Sequence, residues 1–141
     1  MKIQKLTPDY VSAVAAIEKR CFSNPWSETA VNAELENHCS EIYIALVDGT
    51  AAGYANIYTV LDEMDIVRVA VLPEYRRQGI AAEILKTVLA EKQGTVYLDV
   101  RESNHPAISL YKSLGFVDTG VRKNYYTNPT ENAILMMREH Q

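Results

Sequence analysis

The sequence lacks a long apolar run and any broad excess of positive charge. None of its apolar stretches approaches the roughly 20 residues that a helix needs to cross a bilayer, and its first residues lack the apolar segment of a signal peptide. The net charge is −4, with 14 basic and 18 acidic side chains, which argues against the basic footprint of a nucleic-acid-binding protein. These absences predict a soluble cytoplasmic protein that binds neither a membrane nor nucleic acid directly.

Cysteine and histidine are also scarce. Cys21 and Cys39 have no short spacing of the kind that ligates a metal, so we interpret both as reduced structural residues. The histidines His38, His105 and His140 show no mutual spacing that suggests a metal site, and we expect them on the surface. With 48% hydrophobic and 23% charged residues, the 141-residue chain is long enough for one domain with a single core.

The chemistry of the chain is organised around the stretch Val69–Ala82, VAVLPEYRRQGIAA. An apolar strand breaks at Pro73, and the basic turn Arg76–Gly79 leads into a helix. The first N–H groups of a helix have no intrahelical partner, and the helix macrodipole places partial positive charge at that end. A glycine-containing turn at such a point is suited to bind phosphate, and the adjacent arginines add charge.

Hydrophobic periodicity and turn signals predict an α+β chain. The predicted helices are Pro8 to about Phe22 with Thr7 as cap, a second helix capped by Ser27, Ala81–Glu91, and one from Asn104 to a C-terminal cap at Gly115. The predicted strands are Lys2–Leu6, Glu41–Val47, Ala51–Val60, Asp65–Leu72, Thr95–Val100, Phe116–Val121 and Ala133–Arg138. The crossover helix makes two of these strands parallel, so we expect a mixed, mostly antiparallel sheet with helices on both faces.

One strand carries a candidate base. In Thr95–Arg101, the alternation of a strand places Tyr97, Asp99 and Arg101 on one face and the apolar residues on the other. An acid in mid-strand is costly to bury unless it is paired or performs chemistry. Asp99 is therefore either an ion-pair partner of Arg68 or Arg101, or a working carboxylate.

Three segments together resemble the GNAT superfamily of N-acetyltransferases. They are Arg76–Ala81, which matches its Q/R-x-x-G-x-G/A loop, then Leu98–Asn104, and Ala107–Phe116, which matches its A-x-x-L-Y-x-x-L-G-F helix. The resemblance covers essentially the whole chain and implies a three-layer α/β/α fold, with residues 1–141 as one N-acetyltransferase domain. It also implies acetyl-CoA as acetyl donor, with direct attack by the acceptor amine and no metal.

Within the superfamily, the chain is most similar to the bacterial enzymes that acetylate the N-terminal alanine of small-subunit ribosomal protein S18. The similarity is carried by Asn24–Ser27, Val100–Asn104 and Arg122–Tyr126. It implies that the acceptor is the N-terminal peptide of a protein, and that this protein is a small-subunit ribosomal protein. Two other functions stay open, namely acetylation of a polyamine, an amino sugar or a lysine, and a non-catalytic CoA-binding regulatory module.

The resemblance also implies roles for individual residues. The residues that would bind the coenzyme are Val69, Ala70, Val71, Arg76, Arg77, Gln78, Gly79, Ile80, Ala81, Ala82 and Asn104. Asn104 is explained equally well as a helix cap. The aromatic residues that would contact the acceptor are Trp26, Tyr125 and Tyr126, although Trp26 could instead be a hydrophobic plug that anchors its loop.

Three residues are the catalytic candidates. Asp99 matches the proton acceptor of the S18 enzymes, which is a glutamate there, so the side chain here is one methylene shorter. A bridging water could make up the lost reach, or Glu102 could act as the base. Tyr111 matches the tyrosine that protonates the leaving thiolate, and its ordinary pKa near 10 suits a proton donor better than a base. Its helical spacing with Leu110 and Leu114 also fits a core aromatic.

Overall fold

The computed structural model describes residues 1–92 and 94–139, so Gln93 and the predicted surface residue His140 lie outside the described residues. The helices are α1 (Val11–Cys21), α2 (Glu28–Glu36), α3 (Ile80–Glu91) and α4 (His105–Ser113), with short 3-10 turns at Pro8–Tyr10 and Pro73–Tyr75. The strands are β1 (Lys2–Lys5), β2 (Ser40–Val47), β3 (Thr50–Val60), β4 (Glu63–Val71), β5 (Thr95–Arg101), β6 (Val117–Tyr126) and β7 (Glu131–Arg138). None of the described helices combines the length and hydropathy that crossing a membrane requires.

The strands of the described ranges form one seven-stranded sheet in the order β1-β2-β3-β4-β5-β7-β6. Every neighbouring pair is antiparallel except β4 and β5, which are parallel. The parallel pair arises because α3 carries the chain from the end of β4 back to the start of β5, as a strand–helix–strand crossover must. The predicted mixed, mostly antiparallel sheet is confirmed.

The sheet has helices on both faces, which confirms the three-layer α+β fold. On one face, α3 packs its apolar side against the central strands, and its buried residues are Ile80, Ile84, Leu85 and Val88. On the other face, α1 contributes the buried residues Val11, Val14 and Ile17 to a second apolar cluster. Both helices show the helical spacing of apolar residues from which they were predicted, and burial of those faces supplies the main stabilisation.

The predicted N-cap at Ser27 is confirmed, whereas the one at Thr7 is wrong. The Ser27 hydroxyl accepts a hydrogen bond from the Ala30 N–H at 3.1 Å, which satisfies one of the unpaired donors at the start of α2. The Thr7 hydroxyl instead bonds the Asp9 carboxylate. The chain then makes a 3-10 turn, and α1 begins only at Val11.

The predicted end of the sixth strand at Val121 is also wrong, because β6 continues to Tyr126. The partner strand β7 begins at Glu131, which is paired with Tyr126, and the register is irregular between Arg122 and Tyr126. Backbone pairing with β7 therefore extends a segment whose polar sequence has no clear strand alternation. As a result, the two predicted acceptor tyrosines lie within a strand.

Candidate active site

The parallel strands β4 and β5 pair only over their first halves. Four pairs join them, from Glu63 opposite Thr95 to Ile66 opposite Leu98. Beyond that point β4 has an irregularity against β3, where Asn56 is paired with Arg68 but Ile57 with Ile66, so that Val67 is an extra residue. The second halves of the two strands lie apart. The β5-side edge of the second half of β4 is thus open to hydrogen bonding from a ligand.

A cleft of about 690 Å³ lies along this part of β4. It is bordered by the end of β4, the turn after it, the start of α3, one side of α4 and the last residues of α1. Every predicted coenzyme residue except Gln78 lines this cleft, together with Tyr111. The Gln78 side chain instead turns back to the Glu74 carbonyl, with 3.5 Å between its amide nitrogen and that oxygen.

The turn at the start of α3 has the backbone that an anion site needs. Arg77 and Gly79 both have left-handed backbone, with φ of +65° and +75°, and such alternation can turn successive N–H groups toward one anion. The first backbone bond of α3 runs from the Glu83 N–H to the Gly79 carbonyl at 3.0 Å. The N–H groups of the three preceding residues, Ile80 to Ala82, therefore come before the helical hydrogen-bond ladder.

The two arginines of this turn have different surroundings. The Arg76 side chain folds back and donates from Nε to the Val71 carbonyl at 3.0 Å, which fixes the turn to the end of β4. Arg77 is exposed at the border of the cleft. On the other border, the Asn104 side chain accepts a hydrogen bond from the Ala107 N–H at 3.3 Å. Asn104 is thus a helix cap that also lines the cleft.

Tyr111 combines both of its predicted positions, because it packs in the core and lines the cleft. Its ring contacts Phe116 edge to face, with 5.8 Å between the ring centroids. Burial raises the pKa of Tyr111 to about 12. The hydroxyl therefore keeps its proton at neutral pH and can donate a hydrogen bond into the cleft.

Asp99 and Tyr111 lie on opposite faces of the sheet. Leu98 and Val100 are buried in the same apolar cluster as Tyr111, whereas Asp99 is exposed on the other face of β5, as the strand alternation predicts. Asp65 shares that face, and its pKa is raised by burial first and then by the negative charges of Asp99 and Glu63. A ligand in the gap between the strands is therefore approached by Tyr111 from one face and by the carboxylate of Asp99 from the other.

The alternative role of Asp99 as an ion-pair partner is not supported within the described ranges. Arg68 pairs with Glu18 at 3.4 Å, and Arg101 pairs with Glu131 at 3.2 Å. Glu102, the second candidate base, is hydrogen-bonded to a residue of the neighbouring strand β7. Its backbone N–H donates to the Asn132 carbonyl at 3.2 Å, and its carboxylate accepts from the Asn132 amide at 3.4 Å.

The two tyrosines at the end of β6 lie in different environments, one near the candidate site and the other in solvent. The Tyr126 ring lies under the Arg101 guanidinium at 4.5 Å, and burial, followed by the charge of Asp99, raises its pKa to about 12. Arg101 also donates to the Thr127 carbonyl at 3.0 Å and so fixes the hairpin between β6 and β7. Tyr125 is 46% exposed. Tyr126 thus faces the Asp99 region, and Tyr125 faces outward.

Of the two aromatic residues that follow α1, Phe22 lines the main cleft and Trp26 does not. Trp26 does not line the main cleft; it borders a separate groove of about 470 Å³ along the outer side of α1. Phe22 and Cys21 line the main cleft instead. The sequence predicts Phe22 as the last apolar residue of a helix, and only its position two residues before the Asn24–Ser27 motif indicates more.

Comparison with known proteins is consistent with this geometry. Residues 11–116 match the profile of the acetyltransferase (GNAT) family. The ribosomal protein bS18-alanine N-acetyltransferase of Escherichia coli strain K12 is 38% identical over 141 residues, which covers 95% of this chain and 94% of that protein. An N-alpha-acetyltransferase of Mycobacterium tuberculosis is 33% identical over 144 residues, covering 97% of this chain and 91% of that protein.

A solved structure shares the fold as well. The crystal structure of the ribosomal-protein-S18-alanine N-acetyltransferase from Escherichia coli superposes with a TM-score of 0.88 and 34% identity, over 97% of this chain and 92% of that one. The fold class expected from the sequence is confirmed by this likeness, and the resemblance carried by the three motifs is confirmed by the family profile.

Proposed function

Because the chain belongs to the acetyltransferase (GNAT) family, we propose that it transfers an acetyl group from acetyl-CoA to the N-terminal amine of a protein. In this proposal the acceptor begins with alanine and is a small-subunit ribosomal protein, like the acceptor named for the Escherichia coli relative. The reaction takes place in the cytoplasm, where ribosomal proteins are made, and residues 1–141 act as one N-acetyltransferase domain.

The observation that carries the proposal is the gap between β4 and β5. The turn Arg76–Gly79, whose backbone is suited to bind phosphate, lies at one end of this gap, and ionisable side chains approach the other end from both faces of the sheet. The volume of about 690 Å³ lies within the range of small-molecule and coenzyme sites. This arrangement suits a long anionic ligand whose reactive end must meet a second substrate.

The residues along the cleft fit the parts of acetyl-CoA, which when bound supplies an acetyl group activated as a thioester. The N–H groups at the start of α3 would bind the diphosphate, and Arg77 would add charge beside them. The open edge of Val69–Val71 would pair with the amide-bearing arm as an added strand does. A backbone N–H of this open edge would also stabilise negative charge on the acetyl oxygen.

On the acceptor face, Asp99 would accept the proton of the ammonium group, directly or through one water, so that the neutral amine can attack. Its exposed carboxylate has no ion-pair partner in the described ranges and lies on the open face of β5. Glu102 is a weaker candidate, because its carboxylate is already bound by Asn132. Tyr126, fixed by Arg101, would border the acceptor on the same face, with Tyr125 and Trp26 farther out.

On the opposite face, Tyr111 would donate to the leaving sulfur. Its pKa of about 12 is well above the value of about 8.5 of an ordinary thiol. Complete proton transfer to the sulfur is therefore uphill in the resting site, and the hydroxyl acts first as a hydrogen-bond donor that stabilises the thiolate. The proton can then be delivered as the coenzyme leaves, and the Tyr111 oxygen regains a proton from water.

Steady-state kinetics with a panel of acceptors tests this proposal. We expect a short peptide that begins with alanine to give a kcat/KM at least about tenfold above that of the same peptide with an acetylated N-terminus and an internal lysine, because the site must orient an α-amine. A polyamine or an amino sugar as the best acceptor would contradict the acceptor assignment. Binding of acetyl-CoA without release of free CoA above the uncatalysed rate, for every amine offered, would instead indicate a regulatory binding module.

A further inference from the structure

A buried carboxylate on α1 has no place in the chemistry proposed so far. The Glu18 side chain is fully buried, with 0% of its surface exposed. One of its oxygens accepts a hydrogen bond from the Trp26 backbone N–H at 2.7 Å, and the other is bonded by the Tyr54 hydroxyl. Burial raises the pKa of Glu18, although the Trp26 N–H and the charge of Arg68 oppose that effect. Burying a carboxylate costs free energy that burying an apolar side chain does not. We therefore expect Glu18 to have a role that an apolar residue could not fill.

Glu18 fixes Arg68, and Arg68 contacts the rings of two aromatic residues. The Arg68 guanidinium lies 3.4 Å from the Glu18 carboxylate. Its central carbon lies 4.6 Å from the centre of the Phe22 ring and 4.5 Å from the centre of the Trp26 ring. Planar guanidinium groups stack on aromatic faces in a way that lysine cannot reproduce. One β4 side chain therefore ties down both ends of the segment from Phe22 to Trp26.

The position of Arg68 along β4 identifies which part of the site this cluster supports. The phosphate turn follows the C-terminal end of β4, so an arm that runs back along the strand passes Val71 first and Val69 last. Arg68 is the next residue, directly after the extra residue at which β4 and β5 part. The cluster thus lies at the reactive end of the gap, on the α1 side of the sheet, and Phe22 extends from it into the cleft.

We propose that Arg68 is a positioning residue of the acceptor site, which together with Glu18 and Tyr54 holds the segment Phe22–Ser27 as the wall against which the first residue of the acceptor is placed. This inference rests on the proposed function, because it presumes an acceptor at that end of the gap. The ion pair also neutralises Arg68, whose uncompensated charge would repel the ammonium group of an approaching N-terminus.

Kinetics with separated substrates test the role. In Arg68→Met, we expect the kcat/KM for an alanine-first peptide to fall by about 10- to 100-fold, since a displaced wall misplaces the attacking amine, while the KM for acetyl-CoA stays within about twofold. Arg68→Lys should recover part of the loss, because it keeps the charge but not the stacking. The matched control is Lys5→Met, which removes a cation paired with Glu41 on β1 and β2, away from the cleft, and should behave as the wild type.

The single tryptophan gives a readout that does not depend on activity. Because Trp26 is the only tryptophan, its fluorescence reports on this segment alone. In Arg68→Met and in Glu18→Gln, we expect a red-shifted emission and stronger quenching by acrylamide, since the ring loses its cover. Tyr54→Phe removes one hydroxyl from the same cluster and should shift the emission in the same direction by a smaller amount.

A double-variant cycle decides whether the residues act as one unit. If they do, Glu18→Gln combined with Arg68→Met loses no more peptide kcat/KM than Arg68→Met alone. Additive losses, or a peptide kcat/KM that Arg68→Met leaves unchanged in an active enzyme, would overturn the inference. If the wild type acetylates no peptide, the proposed function fails first. In that case the fluorescence still tests the segment, and unchanged Trp26 emission in all three variants would refute the positioning role as well.

Discussion

The two faces of the sheet contribute different chemical groups to the site, mainly backbone groups on one face and side chains on the other. On the α3–α4 side, the cleft is formed by backbone groups at the start of α3 and along β4, supported by an apolar core. On the α1 side, the reactive end of the gap is bordered by side chains: the Glu18–Arg68 pair with Phe22 and Trp26, and the Arg101–Tyr126 pair nearby. We name them the donor side and the acceptor side, after the substrate that each would bind in the proposed reaction.

This difference between backbone groups and side chains explains how proteins of one fold can catalyse the same reaction on different acceptors. Backbone N–H groups exist at every helix start whatever the sequence, so a phosphate site built from them needs little beyond a glycine and small neighbours. A wall of side chains can be altered by single substitutions without disturbing the donor side. We therefore expect donor-side substitutions to act on coenzyme binding, and acceptor-side substitutions to act on the amine.

The largest effect is expected from Gly79→Glu. The left-handed backbone at Gly79, with φ of +75°, and the carboxylate placed beside the diphosphate should together lower the affinity for acetyl-CoA by about 100-fold or more. Gly49→Glu is a matched control, because Gly49 also has positive φ, +80°, and open space around it. Calorimetric titration should show that only the change at position 79 weakens binding. An equal loss in both variants would mean that strain, and not the phosphate site, is responsible.

The next effect is expected from Asp99→Asn, which keeps the shape of the side chain and removes its basicity. We expect kcat to fall by about 100-fold or more, as is usual when a general base is lost, with the KM for acetyl-CoA little changed. Glu102→Gln serves as the comparison and should keep most of the activity. A pH–rate profile whose acidic limb disappears in the position-102 variant instead would assign the base to Glu102.

A smaller loss is expected from Tyr111→Phe. Removing a hydrogen-bond donor to a developing charge costs about 10- to 100-fold in rate, so kcat should fall by that range while acetyl-CoA affinity stays nearly intact. Stopped-flow measurement of CoA release would separate this chemical step from coenzyme binding. Normal turnover in the variant would mean that Tyr111 has only a structural role in the core.

The smallest effect is expected on the stability of the fold at alkaline pH. It tests whether water reaches the Tyr111 hydroxyl on the donor side. The pKa of Tyr111 is about 12 in the folded protein and about 10 in an unfolded chain. As the pH rises from 10 to 12, the unfolded chain releases this proton and the folded protein retains it, so stability is lost across that window. Denaturant titrations should show a shallower loss for Tyr111→Phe than for the wild type. Parallel curves for the two proteins would indicate that water reaches the hydroxyl.

Much of the donor side followed from the sequence because its determinants are local. The turn Arg76–Gly79 was predicted from a glycine at a helix start after an apolar strand, and the structure has a left-handed Gly79 directly before α3. On the other face of the sheet, the alternation within β5 also predicted correctly that Asp99 lies opposite the apolar residues of that strand. Such features depend on the chemistry of a few neighbouring residues, so a linear pattern is sufficient to indicate them.

The acceptor side followed far less well, because its contacts join residues distant in the chain. Glu18 and Arg68 are separated by 50 positions. The helical spacing from Val11 and Val14 places Glu18 on the buried face of α1, but no local pattern identifies Arg68 as its partner. Phe22 was assigned to the end of a helix, but it also lines the cleft. Trp26 was assigned either to a plug that anchors its loop or to the acceptor pocket, and its ring packs on Arg68. The end of β6 was misplaced because pairing with β7 prevailed over its polar sequence.

By itself, the sequence determined the order of the elements, the mixed sheet, the phosphate turn and the residues that carry the family resemblance. These are consequences of backbone geometry and of side-chain periodicity, which act over a few residues. Only the tertiary structure determined that β4 and β5 stop pairing after Ile66, and that Asp99 and Tyr111 lie on opposite faces of the sheet beside the gap. It also brought Glu18 and Arg68 together as an ion pair, because the meeting of two distant charges depends on how helix and sheet pack.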